Sequence, residues 1–392
     1  MPKRASMQGG LASGLRAPVL FATPHITSDD IEAVNRVLHS GWLTTGTECQ
    51  LLEDELAAYL GAKHVVGVSS CTAALEIALA YLRLRPGSRV GVPAWTFIAS
   101  ASAAVHNNLM PVLLDVEPGT LNLAPASLEA AIAQGLDAVV AVHFGGVPVS
   151  PAIHALCDAA GIPLVEDAAH ALGAADERGP IGGAGAQAAC FSFYATKNLT
   201  SGEGGALATD DSSLNHFARS YRLHGMSADA HARYRPDGSL MYDMVEPGIK
   251  ANLPDLLAAL ARSQLQRFET MQSRREAIAN RYRTQLEPAG LQFVPAIPVT
   301  ASANHLAVVV LPMGIDRDEI VDDLKASGIY PSVHFRPLHH FTWFRENAVI
   351  GPTGLAVCDA FASRVLSLPL HIGLSDDDVD VVCEQLSALV HG

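Results

Sequence analysis

The sequence predicts an α/β protein built on a doubly wound, mostly parallel sheet. Two observations carry this. Short apolar runs alternate with stretches of helical pattern between residues 64 and 194, and several of the runs are continuously apolar. A strand covered by helices on both faces buries every side chain and so loses the in-out alternation of a half-exposed strand. Parallel neighbours need a crossover, which a helix supplies.

In order, strands are expected at His64 to Ser69, Arg89 to Pro93, Pro111 to Asp115, Asp137 to His143, Ile162 to Asp167 and Cys190 to Tyr194. Helices are expected between them at Thr72 to Leu82, Ile98 to His106, Pro125 to Ala133 and Pro151 to Ala160. A long polar-faced helical segment near Pro254 to Leu286 leads into a smaller α+β unit. That unit has strand patterns at Leu291 to Val294, Ala307 to Leu311 and Ser332 to Phe335, and a helix at Asp316 to Ser327. Ser375 caps the last helix, with Asp376, Asp377 and Asp378 in its first turn. Acids there meet the free amides of a helix start, so this cluster reads as a cap and not as a metal site. The resulting division is a disordered tail at 1–17, a large domain at 18–255, and a connecting helix with a small C-terminal domain at 256–392.

Composition narrows the function classes. A net charge of −14 without Lys/Arg clusters argues against a nucleic-acid or anionic-membrane partner. No run reaches the roughly 18 apolar residues of a transmembrane helix, and residues 1–17 lack the apolar stretch of a signal peptide. The six cysteines (49, 71, 157, 190, 358 and 383) have no paired spacing, which suggests reduced core thiols in a cytoplasmic enzyme. His334, His339 and His340 lack an evident third metal ligand and read as a loop at the mouth of a site. Gly182 to Gly185 precedes a strand where a dinucleotide fingerprint would follow one, so it reads as a loop.

The chemistry centres on two segments: Leu164-Val165-Glu166-Asp167-Ala168-Ala169-His170 and Phe191-Ser192-Phe193-Tyr194-Ala195-Thr196-Lys197-Asn198. The chain has five lysines, and Lys197 alone closes an apolar run, where an idle ammonium would be costly to desolvate. A lysine amine condenses with an aldehyde to form a Schiff base, and a carboxylate facing a pyridine nitrogen keeps that ring protonated. Asp167 and Lys197 together therefore point to pyridoxal 5'-phosphate (PLP). Both fall at C-terminal strand ends, with Ser69, Ser70 and Trp95, where ligands gather in such sheets.

The ordered set of short segments resembles the DegT/DnrJ/EryC1/StrS family of PLP-dependent sugar aminotransferases from Gly41 to Leu370. The set is Gly41-Trp42-Leu43-Thr44-Thr45-Gly46, Ser70-Cys71-Thr72-Ala73-Ala74-Leu75, Pro93-Ala94-Trp95-Thr96-Phe97, Glu166-Asp167-Ala168-Ala169-His170, the Lys197 segment, Gly202-Glu203-Gly204-Gly205 and Asn252-Leu253-Pro254-Asp255. The resemblance implies PLP fold type I. It implies that Thr72, Ala73 and Ser192 bind the cofactor phosphate, the first two at a helix start whose amides attract anions. Trp95 would stack on the pyridine ring, although alone it would read as a core residue. Asp167 would pair with the ring nitrogen, and His170 would lie near the ring. Asn252 would reach the phosphate of the neighbouring subunit in a homodimer with shared sites.

Cys71 stands where the family usually has glycine, and Glu76 where histidine is frequent. Arg222-Leu223-His224-Gly225, Val245 to Asn252 and Ser332 to His339 are most similar to members acting on UDP-4-keto-pentoses and related nucleotide-linked 4-keto-sugars. The expected reaction is a two-half transamination with L-glutamate as donor, in which the freed Lys197 amine moves the proton. The alternatives are an aminotransferase for an aminocyclitol or amino-aromatic precursor, and an inactive regulatory homologue. A related dehydratase would carry histidine in place of Lys197.

Overall fold

A computed structural model describes residues 17–227, 241–296 and 301–391; the expected tail at 1–17 lies outside them except for Ala17. In chain order the strands are β1 (His64–Val68), β2 (Arg89–Pro93), β3 (Met110–Leu114), β4 (Ala138–Val142), β5 (Leu164–Asp167), β6 (Ala175–Asp176), β7 (Gly179–Pro180), β8 (Ala189–Ser192), β9 (Gly205–Thr209), β10 (Gln292–Val294), β11 (Ala307–Val310), β12 (Val349–Ile350) and β13 (Val365–Leu368). The longer helices are α1 (Ser28–Ser40), α2 (Thr47–Leu60), α3 (Cys71–Tyr81), α4 (Ile98–His106), α5 (Pro125–Ala133), α6 (Pro151–Ala160), α7 (Ser212–Tyr221), α8 (Asp255–Leu265), α9 (Phe268–Leu286), α10 (Arg317–Ala326), α11 (Thr342–Asn347), α12 (Ala356–Phe361) and α13 (Asp376–His391).

Eight strands form the large sheet in the order β1-β9-β8-β5-β4-β2-β3-β12, parallel from β8 through β12. All of β4 is buried, as are the last four residues of β2 and β3, because α3 to α6 cover the sheet. The smaller sheet, β10-β11-β13, is antiparallel and packs on α9 and α13 through Ile278, Tyr282, Leu286 and Leu386.

The expected strands and crossover helices of the large sheet are all present, with changes at the edges. Among the described strands β1 pairs with β9 alone, and antiparallel. β9 was not expected: Gly-Ala-Leu-Ala-Thr is poor in β-branched residues, and its two strand neighbours impose the extended state. Gly205 is required there. A Cβ would come within 2.6 Å of Cys71 N, Ser70 C and Phe191 O, so only glycine lets β9 lie against the start of α3.

Ser332 to Phe335 is not a strand. It makes one isolated bridge, Ser332 to Ser367, because Pro331 and Pro337 bracket it and withhold ladder donors. The segment 254–286 is two helices, α8 and α9, separated at Gln266 and Arg267. Ala258, Ala261, Phe268 and Met271 join the core under the large sheet, whereas Ile278 and beyond join the small one. Packing is therefore continuous across the division drawn at 255–256. Asp255, the first residue of α8, accepts the amides of Gly46, Glu48 and Cys49 at 2.7, 3.2 and 3.0 Å and so caps α2.

Gly205→Ala is expected to destabilise by about 1–3 kcal/mol, through backbone displacement at the start of α3. Gly119→Ala, where an added Cβ meets nothing within 4 Å, serves as the control. Paired urea melts check this, with the loss expected in the first variant alone.

Candidate active site

Where β5 and β8 end, the chain opens a cavity of about 490 Å³. Thr72, Asp167, His170, Ser192 and Lys197 all line it, as do Phe97, His305, His334 and Phe335. Thr72 and Lys197, 125 positions apart in sequence, thus meet because strands present their C-terminal ends at one edge of the sheet.

Asp167 is 6% exposed and its carboxylate is held by several donors. The Ser100 hydroxyl donates to Oδ2 at 2.6 Å, and the Ala169 amide donates to Oδ1 at 3.2 Å. Ser100 in turn lies 2.8 Å from the Thr96 hydroxyl, one helical turn earlier. Cys71 Sγ is 3.6 Å from Asp167 Oδ1 and 3.2 Å from the Cys190 carbonyl. Burial first, and then the neighbouring carboxylate, push the Cys71 thiol well up, so it stays protonated.

The Lys197 side chain lines the cavity and is half-buried. Burial pulls its pKa down to about 8, against the opposing attraction of Asp167. An amine poised there can both accept and give a proton near neutral pH. His170 accepts a hydrogen bond at Nδ1 from the Gly145 amide at 3.2 Å, which leaves its proton on Nε2. Its ring stacks on Phe335, with centroids 5.9 Å apart, and lies 4.3 Å from the His305 ring. His305 donates from Nδ1 to Asn198 Oδ1 at 2.9 Å. Burial, reinforced by the Lys197 charge, holds His170 well below the usual imidazole range, and the same forces pull His334 down to about 4. The rings are therefore neutral at pH 7.

The start of α3 forms one end of the cavity. Ser70 and Thr72 line it, and the first turn of the helix carries no acid. The Ser70 hydroxyl already accepts the Ala73 amide at 3.1 Å, and Ala73 is off the cavity wall.

Two further expected residues are also off the wall. Trp95 is fully buried in the core of the large sheet, with its indole N–H lacking a partner, and it does not reach the cavity. Phe97, two residues on, is 55% exposed and forms part of the wall, because the chain turns into α4 at that point. Asn252 pairs with Val68 and donates to Thr45 Oγ1 at 2.6 Å, while Lys250 donates to its Oδ1; it lies away from the cavity of its own chain. Sequence reading missed Ser100, Phe97 and His305. The Thr96/Ser100 spacing and the second aromatic of Trp95-Thr96-Phe97 were legible signals; His305 had none. His339 and His340 both direct Nε2 to Asp359 Oδ1, at 2.8 and 2.9 Å, an acid that spacing alone did not reveal.

The buried amine has a stability signature. Below pH 8 both native and unfolded chains carry the ammonium, and the native state bears its full desolvation cost. From about 8 up to the ordinary value of 10.5 only the unfolded state holds the proton, so this group's penalty fades as pH rises. Lys197→Met is expected to stabilise the cofactor-free protein at pH 7 by at most about 3 kcal/mol, with the gain shrinking toward zero by pH 10. Urea melts at the two pH values test this.

Comparison with known proteins agrees with this site. The DegT/DnrJ/EryC1/StrS aminotransferase family profile matches residues 24–387. The spore coat polysaccharide biosynthesis protein SpsC of Bacillus subtilis (strain 168) is 41% identical over 378 residues, covering 95% of this chain and 97% of that protein. Spr1654 of Streptococcus pneumoniae, solved in its PLP-form, superposes with a TM-score of 0.87 at 29% identity, over 95% of this chain and 98% of that one. DesI, solved in the presence of its TDP-sugar product, gives a TM-score of 0.85 at 30% identity, over 96% and 94%. The matching fold, the lysine and the buried carboxylate at the strand ends, and these relatives lead to one conclusion: the chain belongs to the DegT/DnrJ/EryC1/StrS family and is a PLP-dependent sugar aminotransferase of fold type I.

Proposed function

We propose that the protein transfers an amino group from L-glutamate to the keto carbon, at position 4, of a nucleotide-linked sugar. One observation carries this reading: a buried amine and a buried, hydrogen-bonded carboxylate share a cavity that also receives an acid-free helix start. DesI, which was solved with a TDP-sugar product, supports the nucleotide-linked substrate.

The residues present fit the cofactor. Lys197 Nζ would hold it covalently, and Asp167 would keep a proton on the pyridine nitrogen. Thr72, Ser192 and the start of α3 would receive the phosphate; Ala73 contributes by placing that turn. Phe97 would cover a ring face in place of Trp95, and His170 would sit beside the ring. When bound, PLP supplies an electron sink for the carbon next to the transferred nitrogen.

The protein's part is orientation and proton movement. Ser100 and the Ala169 amide prevent the Asp167 carboxylate from rotating, so its charge stays directed at one point. Lys197 Nζ would take the proton from the donor's α-carbon and deliver it to the cofactor carbon in the first half, and in the second half would move a proton the opposite way, from that carbon to the sugar carbon that accepts the amine, for which a pKa of about 8 suits it. Phe97 and Phe335 on the wall reduce water at the reacting centre. Asn252, turned away from its own cavity, would reach the phosphate in a second copy of the chain, making the working unit a homodimer.

Asp167→Asn should retain PLP yet slow the single-turnover conversion of the cofactor by glutamate by about 10²-fold or more, because a neutral amide does not hold the ring proton. Conversion near the wild-type rate would assign that proton to another group. A panel of nucleotide-linked keto-sugars, with products identified by mass spectrometry and NMR, tests the substrate: amination of 4-keto members is expected, and amination of free cyclitols alone would replace this reading. For the shared site, Lys197→Ala and Asn252→Ala proteins should regain partial activity after subunit exchange, since one site of the mixed dimer escapes both lesions. A fully active Asn252→Ala protein would remove the argument.

A further inference from the structure

A second, much smaller cavity of about 20 Å³ lies on the other side of Lys197, which lines both spaces together with Thr196. Its wall includes Thr23, His25, Asn198, Arg275 and His371, and it contains no carboxylate. Arg275, on α9, is 4% exposed. Its NH1 donates to the Leu370 carbonyl at 3.3 Å, its Nε has no hydrogen-bond partner, and no acid pairs with it among the described residues. His371 Nδ1 is likewise buried without a partner.

A buried guanidinium with most of its donors unused costs several kcal/mol unless something compensates its charge. Neutralisation by proton loss does not solve this. Burial pulls Arg275 down only to about 10, so it remains a cation at neutral pH. The space beside the guanidinium suits one small occupant. We propose that this cavity is a binding site for a single small anion, of chloride size, held by the Arg275 guanidinium behind Lys197.

The site is distinct from the cofactor phosphate site, which lies across the larger cavity at the start of α3, and it does not depend on which substrate the enzyme takes. An anion there has two consequences. It balances the charge of Arg275 and so stabilises the junction between α9 and the chain at Leu370 to Ile372. Because Lys197 borders this space as well as the larger one, an anion there also favours the protonated amine, and protonation favours the anion reciprocally.

The test uses the holoenzyme in sodium chloride against sodium gluconate at constant ionic strength, gluconate being too large for the cavity. Wild type is expected to melt a few degrees higher in chloride, with saturable dependence on concentration, as binding to the native state alone requires. Arg275→Met should lose that dependence. Wild-type protein alone provides the second measurement: excess ³⁵Cl NMR line broadening that bromide competes away. Equal melting in the two salts without excess broadening would mean that water fills the cavity, and the proposal fails. A chloride dependence that persists in Arg275→Met would place the ion elsewhere and overturn it equally. Should Arg275→Met fail to fold, the wild-type broadening and its competition decide alone.

Discussion

A protein can keep a carboxylate in an apolar cavity only if fixed donors replace the water it has lost, and at Asp167 that replacement organises the site. Ser100 comes from the first turn of α4, Ala169 from the turn after β5, and Cys71 from the first residue of α3. These elements are the crossovers and strand ends of the parallel sheet. The sheet therefore does more than support the site: it fixes the donors that hold and aim the Asp167 carboxylate. Lys197 depends on this in turn, because the opposing charge of Asp167 limits how far burial lowers its pKa.

Packing around that centre is tight where backbones meet. Gly205 allows β9 to touch the start of α3, and Asp255 spans from α8 to the amides that begin α2. Both belong to segments that also matched the family. Their evident physical role is to close the large unit, Gly205 at the start of α3 and Asp255 at the start of α2.

The smaller unit contributes to the same cavity from the other side. The segment between Pro331 and Pro337 stays out of the small sheet, and His334 and Phe335 line the cavity. Helix α9 joins both cores, so motion between the units must pass through a helix whose buried Arg275 lacks an acid partner. Neutral His170 and His305 share the cavity wall with Lys197, Asp167 and Glu203, so the rings add no positive charge that would compete with Lys197 for Asp167.

Much of this was legible in the linear chain. Continuous apolar runs mark β2 to β5 and β8 because complete burial leaves a compositional trace, and Lys197 stands out because a lysine closing such a run needs a task. The ordered motifs around Thr72, Asp167, Ser192 and Lys197 named the cofactor chemistry. What the chain alone left undecided depends on neighbours distant in sequence. β9 is a strand because β1 and β8 flank it; Ser332 to Phe335 has strand residues but no ladder. Trp95 and Phe97 are two aromatics in one motif, and only packing decides which enters the core and which faces the cavity. Local pattern records how much surface a segment must bury, whereas direction, pairing and access to a cavity are properties of the assembled tertiary structure.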